Sequence, residues 1–289
     1  MPKLSIIVPT FNSSTYIERC LQSIRIQTFR DYEIILQDGA SSDDTIRIAA
    51  GFRNASPGMD IKLFSEKDNG PYDAMNKGCR RASGEWLYFL GSDDELRDAN
   101  VLSTVMRSPG LATCDVIYGN VQVIGDAGWA KHGSVYDGIF DLSKLLNRNI
   151  CHQAIFYRAA FVRRIGEYNT RYVVCADWDF NMRCWSKMEF KYLDMIVANF
   201  YAGGLSGGGG DECFSREVAS NVLRYFGLSI YDPLVNTPAF TGFADIIKMQ
   251  QSESSFRSIV GRIRRVVRLR IERLGFAGRN SCSRTIPRG

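Results

Sequence analysis

Short apolar runs alternate with amphipathic stretches through the first hundred residues, and each run ends in a polar or glycine-bearing segment. Residues 4–8 (Leu-Ser-Ile-Ile-Val) close at Pro9, the pattern of a strand buried on both faces. Thr15-x-x-Glu18 reads as a capping box ahead of Ile17, Leu21 and Ile24, which share one helical face. Residues 32–36 form a second strand ended by Gln37-Asp38-Gly39, and Ser41 to Asp44 supply caps for a short helix reaching Ala50. Residues 61–64, 72–82 and 85–90 continue the alternation as strand, helix and strand. Strands alternating with helices of about 10 residues predict βαβ units and a mostly parallel sheet, an α/β fold.

Beyond Asp94 the regularity weakens. Residues 116–123 and 155–157 read as strands, 125–138 as a glycine-rich loop, and 179–185 as a helix. Residues 201–206 run into four glycines, Gly207 to Gly210, which read as a hinge, a lid or a linker. Residues 215–231 place Val218, Val222, Tyr225 and Leu228 on one helical face. The expected organisation is a domain over 1–210, with a donor half (1–98) and an acceptor half (99–210). A helical extension follows over 211–255, then a basic tail over 256–289.

The net charge of +5 hides an asymmetry. Residues 256–289 hold ten arginines and one acid, Glu272, leaving the rest near −4. A mildly acidic body argues against nucleic acid as its partner. In the tail, apolar residues at 256, 259, 260, 263, 266, 267, 271 and 274 share a face with arginines largely elsewhere. A basic amphipathic helix suits an anionic inner-membrane surface. Packing on the body, a partner protein and RNA are the other readings. No run of about 18 apolar residues exists to span a membrane. The eight cysteines are scattered without CxxC spacing and read as reduced core residues, which points to the cytoplasm.

Candidate chemistry gathers at the carboxyl ends of the predicted strands. Pro9-Thr10-Phe11-Asn12, Asp38 to Asp43, Asp68 to Gly78 and Ser92-Asp93-Asp94 would meet in one crevice of a doubly wound sheet. Adjacent carboxylates at a strand end repel and lose hydration unless a cation or hydrogen bonds compensate. Mg²⁺ or Mn²⁺ suits one or two carboxylates plus substrate phosphates. Neither GxGxxG nor GxxxxGK[ST] is present.

Ser5-Ile-Ile-Val-Pro-Thr-Phe-Asn12, Asp38-Gly-Ala-Ser-Ser-Asp-Asp-Thr45 and Ala82-Ser-Gly-Glu-Trp-Leu-Tyr-Phe-Leu-Gly-Ser-Asp-Asp94 together resemble glycosyltransferase family 2, inverting enzymes of the GT-A fold. The resemblance covers about residues 3–210. The segment Asp68 to Gly78, Cys151 to Arg158 and residues 200–206 resemble a bacterial subgroup that builds surface polysaccharides. What the resemblance implies is a nucleotide-diphosphate sugar donor, most plausibly a UDP-sugar, and a glycan or polyprenyl-linked glycan acceptor. Phe11 stacks on the base, with Pro9 and Thr10 shaping its slot, and Asp38 accepts from the base. Asp93 contacts ribose or sugar, and Asp94 binds the metal. Asp73 and Asn76 hold the donor sugar or phosphates. Ser92 departs from a strict Asp-x-Asp. Ala176-Asp-Trp-Asp-Phe180 resembles the catalytic acidic segment, making Asp177 the base, with Asp179 the competing carboxylate in the acceptor site. The plain alternative for Asp177 is a helix N-cap. His152 and Gln153 line the acceptor site or are structural; His132 carries no mark of a ligand. The rival functions are a sugar-nucleotide nucleotidyltransferase and a non-catalytic nucleotide-sugar-binding protein.

Overall fold

A computed structural model describes residues 1–204 and 210–227. In chain order the strands are β1 (Leu4–Thr10), β2 (Tyr32–Asp38), β3 (Asp60–Ser65), β4 (Trp86–Phe89), β5 (Glu95–Leu96), β6 (Val116–Ile124), β7 (Val135–Tyr136), β8 (Ile155–Arg158) and β9 (Phe190–Tyr201). The helices are α1 (Ile17–Arg25), α2 (Thr45–Asn54), α3 (Pro71–Arg81), α4 (Val101–Met106), α5 (Leu142–Asn147), α6 (Ala159–Ile165), α7 (Ala176–Trp185) and α8 (Glu212–Phe226). The chain divides into two compact units, Met1–Arg216 and Glu217–Gly289. Residues 205–209, within the predicted hinge, and the basic tail lie outside the described residues.

One sheet runs β3-β2-β1-β4-β8-β6-β9-β5, with β7 added to β6. The first four strands are parallel, as their continuous apolar runs predict. From β8 onward the sheet is mixed: β8 is antiparallel to both β4 and β6, and β6 is parallel to β9. β1, β2 and β4 are buried along their whole length. On α1, Ile17, Cys20, Leu21 and Ile24 are fully buried against this sheet's core. Each such aliphatic side chain contributes about 1.5–3 kcal/mol by leaving water. Helix α3 lies close on β1: a Cβ at Gly78 would come 2.5 Å from Cγ2 of Ile7.

Three sequence expectations change. The Thr15 capping box is absent: Tyr16 is the N-cap, and the Ser13 carbonyl accepts from the Tyr16 and Ile17 amides, each at 2.9 Å. Helix α7 starts at Ala176 rather than 179, which places Asp177 and Asp179 in its first turn. The glycine-rich loop over 125–138 is an ordered excursion that carries β7 back onto β6. His132 holds it together: its Nδ1 accepts from the Gly125 amide (3.0 Å) and its own amide donates to Asp126 (3.0 Å).

A polar knot sits at the amino end of the sheet. Glu33 is fully buried; its Oε1 accepts from Ser5 Oγ (2.5 Å), the Ser83 amide (2.7 Å) and Ser83 Oγ (2.8 Å), while Lys62 pairs with the other oxygen. Burial alone would raise this carboxyl, but the hydrogen bonds from Lys62, Ser5 and Ser83 outweigh it and bring it down to about 2. The folded value lies below the unfolded one of 4.5, so the knot's stabilisation is present above pH 4.5 and lost as pH falls toward 2. Such a shift is worth roughly 3 kcal/mol. Glu33→Gln is expected to destabilise the protein at pH 7 and to flatten its acid unfolding between pH 4.5 and 2, read by circular dichroism. An unchanged acid midpoint would remove Glu33 from this role.

Candidate active site

The carboxyl ends of β1, β2 and β4 are tied to one another before any ligand arrives. The Asn12 amide donates to Ser41 Oγ (2.8 Å), and Asn12 Oδ1 accepts from the Ser42 amide (2.9 Å). Asn12 adopts φ +47° and Ala40 φ +62°, left-handed conformations that these cross-links hold in place. Ser13 Oγ meets Ser92 Oγ at 2.8 Å, joining the loop after β1 to the acidic loop after β4. Phe11 stands 61% exposed on this platform, an aromatic face without a protein cover. Thr10 Oγ1 is buried without a hydrogen-bond partner among the described residues.

Beside them, Asp93 and Asp94 fold back around Gly91: a Cβ there would lie 2.8 Å from Asp93 Oδ1 and from Asp94 Oδ2. Asp94 is buried, with Oδ1 accepting from the Tyr201 amide (2.9 Å) and Oδ2 from Gln153 Nε2 (2.6 Å). Neither carboxylate has an ion-pair partner among the described residues. Burial, then the neighbouring Asp93 charge, pushes the Asp94 carboxyl up to about 7. Arg19 donates to the Asp93 carbonyl, lies 3.9 Å from Glu95 Oε2 and stands 3.6 Å over the Tyr201 ring. Two oxygen-bearing carboxylates with uncompensated charge fit a hard divalent cation. No cluster of three or more His, Cys, Asp or Glu is present among the described residues, so the remaining ligands would come from phosphate and water.

The opposite wall begins at the amino end of α7. Asp177 Oδ1 accepts from the Trp178 amide (2.8 Å) and lies 3.1 Å from the Tyr72 hydroxyl, which also reaches the Val174 carbonyl (2.5 Å). Its Oδ2 is 3.5 Å from His152 Nδ1. The N-cap is Cys175, and Asp177 sits at the second helical position with one oxygen on the first-turn Trp178 amide. His152 Nε2 is buried without a partner among the described residues. The chain His152-Gln153 thus links the two carboxylates, touching Asp177 through one residue and Asp94 through the next.

Both walls border one cavity of about 860 Å³, lined by Phe11, Asp93 and Asp94, by His152, Gln153 and Asp177, and by Trp129, Tyr136 and Trp178. A family model described as glycosyl transferase family 2 matches residues 5–166. The chain belongs to that family. It is 43% identical over 210 residues to a PGL/p-HBAD biosynthesis glycosyltransferase of Mycobacterium tuberculosis, covering 71% of this chain and 79% of the relative. It is 37% identical over 134 residues to the GalNAc(5)-diNAcBac-PP-undecaprenol beta-1,3-glucosyltransferase of Campylobacter jejuni, covering 46% and 43%. Among solved structures, S. aureus TarS 1–349 in complex with UDP-GlcNAc superposes with a TM-score of 0.65 at 21% identity, over 77% of this chain and 67% of that one. The fold is therefore GT-A, and the chain is a glycosyltransferase.

Not every residue expected in a glycosyltransferase site reaches the cavity. Pro9, Thr10, Phe11, Asp93, Asp94, His152, Gln153 and Asp177 all line it. Asp38 does not. It is fully buried at the end of β2, where its carboxylate accepts from the Ser41 amide (3.0 Å) and hydroxyl and from Ser65 Oγ (2.6 Å). Asp68 lines the cavity beside this loop, close enough that a Cβ at Gly39 would be 2.6 Å from its Oδ2. Burial raises the Asp68 carboxyl above its ordinary range. Asp73 and Asn76 are likewise not among the lining residues. Asp73 accepts from the Asn69 amide (3.0 Å) and pairs with Lys77 (3.6 Å). Asn76 uses both ends of its amide on the Tyr168 backbone (2.8 and 3.0 Å). The α3 residues lining the cavity are Pro71, Tyr72, Ala74 and Met75, which flank Asp73 and precede Asn76. Asp179 is buried away from the cavity and paired with Arg183 at 3.0 Å. Two residues apart on a helix point to nearly opposite sides, which separates it from Asp177.

Proposed function

We propose that this glycosyltransferase inverts: it moves one sugar from a nucleotide-diphosphate sugar, a UDP-sugar, to a glycan or polyprenyl-linked glycan acceptor in bacterial surface polysaccharide assembly. The observation that carries this is the pair of unlike carboxylate sites in one cavity, Asp93–Asp94 and Asp177, joined through His152-Gln153. Phe11 offers a stacking face for the base, and Asp93 stands beside it for the ribose or sugar. Asp94 would hold Mn²⁺ or Mg²⁺, with Asp93 adjacent. The cation would offset charge on the leaving nucleoside diphosphate.

Asp177 takes the proton of the acceptor hydroxyl as that oxygen bonds to the anomeric carbon. The bond from that carbon to the diphosphate oxygen breaks with its electron pair, and the nucleoside diphosphate leaves. The Tyr72 hydroxyl and the Trp178 amide, both on Oδ1, aim the Asp177 carboxylate. The name of the Campylobacter jejuni relative, a glucosyltransferase whose name carries an undecaprenol-linked glycan, supports a lipid-linked acceptor. Family membership disfavours the nucleotidyltransferase and scaffold readings. Incubation with a panel of nucleotide sugars, Mn²⁺ and soluble glycosides, scored for released nucleoside diphosphate, tests the reading. Release from a UDP-sugar supports it, and release only from another nucleotide's sugar overturns the choice of base.

The basic segment 256–276 lies outside the described residues, and no described helix is long and apolar enough to cross a membrane. Its amphipathic pattern supports peripheral attachment to the anionic inner face of the cytoplasmic membrane. Each surface arginine contributes about 1 kcal/mol there, fading with salt. Truncation after Ser255 is expected to abolish sedimentation with phosphatidylglycerol vesicles while leaving transfer to a soluble acceptor intact. Equal sedimentation of both forms would remove the tail as the anchor.

A further inference from the structure

The residues proposed for the donor and the base line only part of the cavity, and the β6–β7 excursion contributes Trp129 and Tyr136 to another wall. Trp129 sits at the tip of that excursion. Ala127 and Ala130 exchange both backbone hydrogen bonds around it (2.9 and 3.1 Å), closing a tight turn. A turn needs no indole, and a half-exposed tryptophan is costly to leave facing water. Trp129 is nevertheless 42% exposed and lines the cavity.

Its position is fixed from two sides. The Tyr136 ring lies 4.9 Å away at 69°, and the Phe200 ring 5.4 Å away at 50°. The Tyr136 hydroxyl donates to the Asn149 carbonyl (2.7 Å), anchoring that ring to the wall. Phe200 precedes Tyr201, whose amide holds Asp94. The indole is thus braced against the same strand that orients the proposed metal carboxylate. Asn147, Arg148 and Asn149 line the adjoining wall.

We propose that Trp129 is the stacking platform for a pyranose ring of the acceptor, a reading that rests on the glycosyl-transfer site above. The negative face of an aromatic ring attracts the positively polarised C–H groups on one face of a sugar, and planar amides and a guanidinium beside it suit the hydroxyls. Phe11 already serves the donor end, so the occupant at Trp129 is the acceptor. Trp129 selects for glycosides over bare lipid phosphates.

The test uses the full chain with Mn²⁺ and UDP present, titrated with octyl glycosides of glucose, galactose, mannose, rhamnose and N-acetylglucosamine by calorimetry. Wild type is expected to bind at least one of them. Trp129→Ala is expected to weaken the best binder about tenfold or more, and Trp129→Phe to stay within about threefold. UDP affinity, measured in the same samples, is expected not to move with either variant. An unchanged glycoside affinity in Trp129→Ala, a matching loss of UDP affinity, an equal loss in Trp129→Phe, or no glycoside binding by wild type each overturns the proposal. Failure of wild type to bind UDP would instead count against the donor site, whatever the glycosides do.

Discussion

Asp177→Asn is expected to lower turnover by about 10²–10⁴ while the affinity for UDP and Mn²⁺ stays at the wild-type value. The amide keeps the size of the carboxylate and still accepts from Tyr72 and the Trp178 amide, so the wall keeps its shape. It cannot take a proton. It reaches Asp94 through His152 and Gln153 rather than directly, so donor binding is expected to be spared. Asp179→Asn is the matched control. It breaks a buried pair with Arg183 outside the cavity, so it is expected to reduce thermal stability more than turnover of the folded enzyme. Initial rates and melting curves on the two variants separate the roles. A fast Asp177→Asn with a slow, stable Asp179→Asn would reverse the assignment.

Asp94→Asn, or removal of divalent cations with EDTA, is expected to abolish transfer in a protein that remains folded. The pH dependence follows from where the carboxyl sits. In the cation-free fold it holds its proton up to about pH 7, whereas the unfolded chain releases it near 3.8. The folded state therefore binds more protons between those values, and cation-free stability falls as pH rises through that window. A cation must displace the proton, so its affinity weakens below pH 7 and its binding releases a proton. Thermal shifts with Mn²⁺ are expected to be larger at pH 8 than at pH 6, and to vanish in Asp94→Asn. Equal shifts at both pH values, or a full shift in the variant, would mean that the cation sits elsewhere. Retained transfer after EDTA would end the metal assignment.

The parallel half of the sheet was legible because β1, β2 and β4 are apolar on both faces and punctuated at the site by Pro9, Gly39 and Gly91. β9 was not, although it is the longest strand: it alternates buried and exposed positions irregularly and carries Lys191 and Asp194 outward. Its pairing with β6 slips in register near Asn120, a feature set by the partner strand rather than by local pattern. At the site, motif position was enough to bring Phe11, Asp94 and Asp177 to one cavity. Which of Asp38, Asp68, Tyr72, Asp73 and Asn76 line the cavity could not be read from the sequence, because a carboxylate that ties a loop and one that borders a cavity carry the same letter. Only the partners, Ser41 and Ser65 for Asp38 and Tyr168 for Asn76, tell them apart. Trp129 gave no sequence signal either, since its neighbours Tyr136 and Phe200 come from distant segments.

The central claim is direct displacement, with Asp177 deprotonating the acceptor and no covalent sugar–enzyme intermediate. The anomeric configuration of the product tests it most directly. With an α-linked UDP-glucose-type donor that the enzyme accepts, the proton NMR spectrum of the isolated product is expected to show the large anomeric coupling of a β-linkage. A product that keeps the α configuration would contradict the account, because retention requires a second displacement that a lone base does not provide.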